Sequence, residues 1–157
     1  MPITDGSTSL TSKSFTMSIA LLKANTQDKD YLFELRLLTM VDHLAIAGIC
    51  LSVEEHWLRV TEHFDAYHLI VHDAVRVGAV KYSESDGTLN IMQLQIHPDY
   101  QGRGIGRNVL NLLIERTVAS TISLTVLKAN PAKRLYERMG FSVIGEDELE
   151  FQMSFRS

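Results

Sequence analysis

A mixed α/β sheet is the fold class this sequence predicts. Three observations lead to it. Apolar periodicity orders the elements as β, α, α, β, β, β, α, β, α, β, β, which is not a regular strand–helix alternation. The chain has 157 residues, 45% apolar and 22% charged, enough for one packed domain with its own core. Three glycines at every second position, Gly102, Gly104 and Gly106, fall between a strand pattern and a helix pattern.

Each element has a local reason. Residues 1 to 16 carry Ser and Thr without an apolar period and read as an extension ahead of a single domain, residues 17 to 157. Ser18 to Leu22 is a short strand. Leu32, Leu35 and Leu38 mark a helix from about Gln27 to Ala47, with Gly48 as its stop. Ser52-Val-Glu-Glu55 is a capping box that starts a second helix reaching about Phe64. His68 to His72 and Val75 to Tyr82 are strands joined by a turn at Asp73-Ala74. Ser85-Asp-Gly87 is the next turn. Leu89 to His97 is the third strand of this run, ended by Pro98. Its apolar alternation runs Leu89, Ile91, then Met92, Leu94, Ile96, a change of phase that a β-bulge produces. A helix from Gly106 to about Ala119 shows Val109, Leu110, Leu113 and Ile114 on one face. Ile122 to Leu127 is a strand. Asn130-Pro131 opens a short helix that Gly140 ends. Phe141 to Ile144 and Glu150 to Phe155 form a closing hairpin. Its exposed edge is a surface on which a homodimer could pair.

Bulk properties narrow the function. The net charge is −4, without the basic surface that phosphate-backbone binding needs, so no nucleic acid partner is expected. No window approaches the about 18 apolar residues of a membrane span, and no membrane partner is expected. The first residues lack an apolar h-region, so a cytoplasmic location is expected. The single cysteine, Cys50, lies between Ile49 and Leu51 and reads as a buried apolar residue. The six histidines show no helical pair beside a third ligand, so no metal site is expected.

Gln101-Gly-Arg-Gly-Ile-Gly106 carries the chemistry. Glycines let the backbone turn tightly and leave N–H groups uncovered. The first N–H groups of the following helix have no internal partners and lie at the positive end of its dipole. Together they form an anion site suited to a pyrophosphate, with Arg103 and Arg107 adding charge. A nucleotide P-loop would end Gly-Lys-Ser/Thr, and this loop ends Gly106-Arg107-Asn108. A dinucleotide fingerprint would space its glycines differently.

Ile96-His-Pro-Asp-Tyr-Gln-Gly-Arg-Gly-Ile-Gly106, followed by Asn130-Pro-Ala-Lys-Arg-Leu-Tyr-Glu-Arg-Met-Gly-Phe141, resembles the GNAT family of N-acetyltransferases. Gln101, Gly104 and Gly106 match its Q/R-x-x-G-x-G/A loop, and Ala132 to Phe141 matches its A-x-x-L-Y-E-x-x-G-F segment. The resemblance is close over roughly residues 75 to 155. It implies a six- or seven-stranded mixed sheet with helices on both faces and two central strands that splay apart. It implies acetyl-CoA as co-substrate, with Leu94, Gln95 and Ile96 along the pantetheine arm. Gln101, Gly102, Arg103, Gly104, Ile105, Gly106 and Arg107 would lie at the pyrophosphate.

Acetyl transfer needs an amine that loses a proton and a thiolate that gains one. By resemblance, Tyr136 is the general acid to the thiolate and also lines the cofactor site. Asn130 is either a helix cap or a cofactor contact; the family's usual asparagine falls one residue earlier, on Ala129. The strand before the loop offers Asn90, Gln93 and Gln95, where many relatives carry a glutamate. Glu34, Glu84 and His97 remain as candidate bases, and Glu34 sits on the helix that borders the family's acceptor site. Trp57, Phe64 and Tyr67 are candidates for an acceptor pocket or for core. The expected activity is acetyl transfer to a small-molecule or peptide amine. A non-catalytic acetyl-CoA sensor of the same fold is the alternative, favoured by the missing strand carboxylate.

Overall fold

Short turns and alternating apolar residues place the strands side by side. The computed structural model describes residues 18–156. Seven strands, β1 (Ile19–Lys23), β2 (Tyr67–His72), β3 (Val75–Ser85), β4 (Thr88–Ile96), β5 (Thr121–Leu127), β6 (Ser142–Glu146) and β7 (Glu150–Arg156), form one sheet. The order is β1-β2-β3-β4-β5-β7-β6. Only β4 and β5 run parallel. The mixed sheet is therefore as expected, while the anticipated N-terminal extension lies outside the described residues.

Four helices pack on it: α1 (Lys29–Ile46), α2 (Val53–Thr61), α3 (Ile105–Arg116) and α4 (Lys133–Arg138). The capping box forms at α2: Glu55 N–H donates to Ser52 Oγ at 3.1 Å, and Ser52 N–H donates to Glu55 Oε1 at 2.9 Å. The helix ends earlier than expected. His63 enters the left-handed region at φ 52° and redirects the chain into a one-turn 3-10 segment, Phe64–Ala66. α3 also stops short, at Arg116, because Thr117 is extended and its hydroxyl accepts from Ala119 N–H at 3.0 Å. Cys50 is exposed, not buried. It lies in the connection between α1 and α2, between the half-buried Ile49 and Leu51.

Helices cover both faces. On one, Val109, Leu110 and Leu113 of α3 and Tyr136 of α4 pack on Ile91, Ile122, Leu124, Val126 and Met153. On the other, Leu32 and Leu35 of α1 and Val60 of α2 pack on Tyr67, Leu69 and Ala79. Fully burying each of the Val, Leu, Ile and Met side chains contributes about 1.5–3 kcal/mol.

The bulge sits where the apolar phase changes. Lys81 pairs with Gln93 and Tyr82 with Ile91, which leaves Met92 as the extra residue. Leu89 and Ile91 before it, and Leu94 and Ile96 after it, therefore all turn toward α3. Gln93 and Gln95 turn toward α1, opposite Lys81 and Ala79. Next to the bulge the central strands part. β4 pairs with β5 from Thr88↔Thr121 to Ile91↔Leu124 and no further. β5 continues instead against β7 through Leu127↔Glu150. β4 is held back against β3 at Gly78, where an added Cβ would lie 2.2 Å from the Gln95 carbonyl oxygen. Only glycine permits that approach.

Candidate active site

The parting of β4 from β5 opens a cleft of about 550 Å³. Leu94, Gln95 and Ile96 form one wall, and the glycine loop closes one end. Asn130, Pro131 and Ala132, with Leu135, Tyr136 and Arg138 of α4, form the facing wall, while Thr39, Met40 and His43 of α1 overhang it.

Backbone direction assigns roles along the β4 wall. His97 N–H donates to the Val77 carbonyl at 2.8 Å, toward β3. Alternation then points the Gln95 peptide groups toward β3 as well, and those of Leu94 and Ile96 into the cleft. The Ile96 carbonyl accepts from Gln101 Nε2 at 2.9 Å, a bond that ties the loop to the strand end. Gln95 is buried, and its side-chain Oε1 has no partner among the described residues.

The loop turns tightly and leads straight into a helix start. Gly102 and Gly104 have φ of 77° and 79°, and Gly104 is the N-cap of α3. The first internal bond of α3 runs from Asn108 N–H to the Gly104 carbonyl at 3.0 Å. The N–H groups of Ile105, Gly106 and Arg107 precede it and stand at the helix's positive end. Arg107 and Arg138 line the cleft. Arg103 stands off its lining, with its guanidinium 5.3 Å from the centre of the Tyr100 ring.

Tyr136 lies at the inner end. Its ring is buried and packs on Phe141, centroids 5.9 Å apart. Burial pushes its phenol up to about 12, so it stays protonated at neutral pH. Asn130 Oδ1 accepts from Ala132 N–H at 2.9 Å, so its oxygen serves the turn into α4 while the residue lines the cleft.

A second, smaller chamber of about 70 Å³ shares Met40, Leu94, Asn130 and Tyr136 with the cleft. It adds Gln93 from β4, Thr125 and Leu127 from β5 and Glu150 from β7.

The sequence-derived bases do not gather here. Glu34 is exposed on α1 and lines neither space. Glu84 accepts from the Thr117 hydroxyl. His97 Nδ1 accepts from Asp99 N–H at 3.1 Å. Trp57, Phe64 and Tyr67 pack elsewhere: Trp57 edge-on to Phe33 at 5.1 Å, and Phe64 against Tyr67 in the α1-side core. The structure adds titratable residues that sequence reasoning missed as site residues: Tyr100 and Arg138, which line the cleft, and two more. His43 lines the cleft, with a buried Nδ1 that has no partner among the described residues. Glu150 lines the second chamber. Their only sequence signal was position, at a helix end and a strand start. Among the described residues, no group of three or more His, Cys, Asp or Glu side chains could hold a metal ion, and no helix is long and apolar enough to cross a membrane.

Comparison with known proteins bears on this geometry. N-acetylaspartate synthetase of Danio rerio is 24% identical over 101 residues, which make up 62% of this chain and 36% of that protein. The match thus spans about a third of the relative's length. The solved structure of the PaiA N-acetyltransferase of Thermoplasma acidophilum in complex with coenzyme A superposes with a TM-score of 0.72 at 18% identity, covering 90% of this chain and all of that one. N-acetylglutamate synthase of Neisseria gonorrhoeae, complexed with coenzyme A and N-acetyl-glutamate, matches at TM-score 0.64 and 18% identity, over 88% of this chain and 35% of that one. A family model described as an acetyltransferase (GNAT) domain matches residues 43–143, well over half of the sequence. With the splayed sheet and the glycine loop where the motifs lie, the chain belongs to the GNAT acetyltransferase family.

Proposed function

We propose that the chain transfers the acetyl group of acetyl-CoA to a primary amine by direct attack within a ternary complex, with Tyr136 protonating the departing thiolate. The observation that carries this reading is the cleft itself. It leads from an N–H cradle at the start of α3, along the exposed edge of β4, to a buried, protonated tyrosine. The coenzyme A bound to the Thermoplasma and Neisseria proteins supports the same occupant here.

The residues fit that occupant in kind. The N–H groups of Gly102 to Arg107 and the side chains of Arg107 and Arg138 suit a pyrophosphate. The inward peptide groups of Leu94 and Ile96 suit the amides of a pantetheine arm. When bound, acetyl-CoA supplies an acetyl group activated as a thioester. Tyr136 then holds a proton at the inner end of the cleft, in surroundings dry enough to favour its neutral form.

Calorimetric titration tests the assignment. Wild type should bind acetyl-CoA, and Gly104→Glu should weaken binding by about a hundredfold or more, because it sets a carboxylate and a strained φ at the anion cradle. Unchanged affinity would remove the loop from the cofactor site.

A further inference from the structure

We infer that Glu150 is the acceptor-side carboxylate, which binds the substrate's ammonium group and takes its first proton, and that the acceptor is therefore a slender cationic amine without a neighbouring carboxylate. The inference rests on the acetyl-transfer reading above and names the substrate class of that site.

Strand parity places the residue. Phe151, Met153 and Phe155 turn into the α3-side core. Glu150 and Gln152 therefore face the opposite side, the one that α1 covers. Register agrees: Glu150 pairs with Leu127 and Gln152 with Thr125, while Ile122, Leu124 and Val126 fill the α3-side core. Gln93, Thr125, Leu127 and Glu150 thus share one face at the point where β4 and β5 part. These residues, with Met40 above them, line the second chamber.

The chamber meets the cleft at Leu94, Asn130 and Tyr136. The chamber also takes in Ile91, Leu124 and Val126 of the α3-side core, so it runs through the gap between β4 and β5. Among the described residues, Tyr136 and Glu150 are the only titratable ones lining it. Tyr136 is held protonated, so Glu150 is the group there able to accept a proton. Among the described residues, the Glu150 carboxylate makes no ion pair and accepts no hydrogen bond. The nearby cations are engaged elsewhere: Lys128 with Glu146 at 2.5 Å and Lys133 with Glu137 at 3.0 Å. The main chain of Glu150 is fixed, its N–H donating to Asp147 Oδ1 at 2.7 Å and its carbonyl accepting from Asp147 N–H at 3.0 Å. A held backbone with an uncommitted carboxylate suits a cationic guest. The volume of about 70 Å³ accommodates an aminoalkyl end.

The protons balance. Glu150 removes one proton from the ammonium group, and the freed nitrogen forms its bond to the thioester carbonyl carbon. The C–S bond breaks, and the thiolate takes the proton of Tyr136. The second proton lost by the nitrogen restores Tyr136, and Glu150 returns the first to solvent.

The test uses 1,4-diaminobutane and glutamate as probes. Each is titrated into protein saturated with coenzyme A, then assayed with acetyl-CoA by thiol release. Wild type should bind and acetylate the diamine in preference to glutamate. Glu150→Gln should lower both diamine affinity and kcat/KM by roughly tenfold or more, with acetyl-CoA affinity and Tm unchanged. Glu150→Asp should recover part of the loss. Equal diamine binding and turnover by wild type and Glu150→Gln would overturn the inference, as would a wild type that binds acetyl-CoA but prefers glutamate or takes neither amine. A wild type that fails to bind acetyl-CoA overturns the acetyl-transfer reading itself, and this inference with it.

Discussion

The role proposed for Tyr136 follows from its surroundings. At helical spacing with Ala132 and Met139 it is an ordinary core residue. The parting of β4 from β5 brings its ring to the end of a cleft, and burial keeps its proton on. Tyr136→Phe should lower kcat by about 10²–10⁴-fold while acetyl-CoA affinity stays within about twofold, since the ring and its packing remain. Steady-state kinetics beside calorimetry checks both halves. His56 is a second case. It is buried between α1 and α2, where Arg36 Nε donates to its Nδ1 at 3.1 Å, so that nitrogen must be unprotonated. Burial, and then the Arg36 charge, lower its pKa below the ordinary histidine value. The unfolded chain therefore takes up this proton at a higher pH than the folded one. The stability is present above the usual value of about 6.5 and is lost as pH falls through the depressed folded value. Melting temperatures measured from pH 7.5 to 5 should fall, and His56→Asn, which keeps an acceptor, should flatten that slope. His68, depressed mainly by burial, adds to the fall.

Among the elements, the ends were harder to read than the bodies. The capping box of α2 was legible because it is local: two side chains and two N–H groups within four residues. Where α2 and α3 stop was not legible, because a left-handed His63 and a bond from Ala119 N–H to the Thr117 hydroxyl depend on where the next strand must begin. The hairpin between β2 and β3 is tight, and both turn residues, Asp73 and Ala74, have positive φ, 51° and 64°. Alanine in that region costs about 1–2 kcal/mol, whereas glycine enters it freely. Against this stands the greater freedom of glycine in the unfolded chain, about 0.4–1 kcal/mol. Ala74→Gly should therefore stabilise the protein by about 0.5–1 kcal/mol, read as a rise in urea midpoint without a change in slope.

At the scale of the whole molecule, the site is a defect in the sheet that neighbours hold open. β5 stays bonded to β7 over its full length, and β3 holds β4 through Gly78 and the register beyond the bulge. The edge of β4 facing the cleft is thus left without a strand partner from Met92 onward. Hydrogen exchange should report this. The Gln95 amide, directed at β3, should exchange slowly in the free protein, and those of Leu94 and Ile96 faster. Saturating acetyl-CoA should slow Leu94 and Ile96 by about tenfold or more and leave Gln95 little changed.

Sequence alone determined the parts that depend on near neighbours in the chain. These were the order of elements, the turn at Asp73-Ala74, the phase change in β4, the glycine loop ahead of α3 and the motif pair that marks the family. The phase change was even enough to foresee the bulge, because a period of two residues cannot shift unless one residue is added. Tertiary structure alone decided which residues meet across the splay. It left Glu34, Glu84 and His97 away from the cleft, brought His43 over it from the last turns of α1, and set Glu150 beside the chamber from β7. The reason is physical. Spacing along one chain sets the face on which a side chain lies, whereas the distance between α1, β4, β5 and β7 is set by packing among residues far apart in sequence.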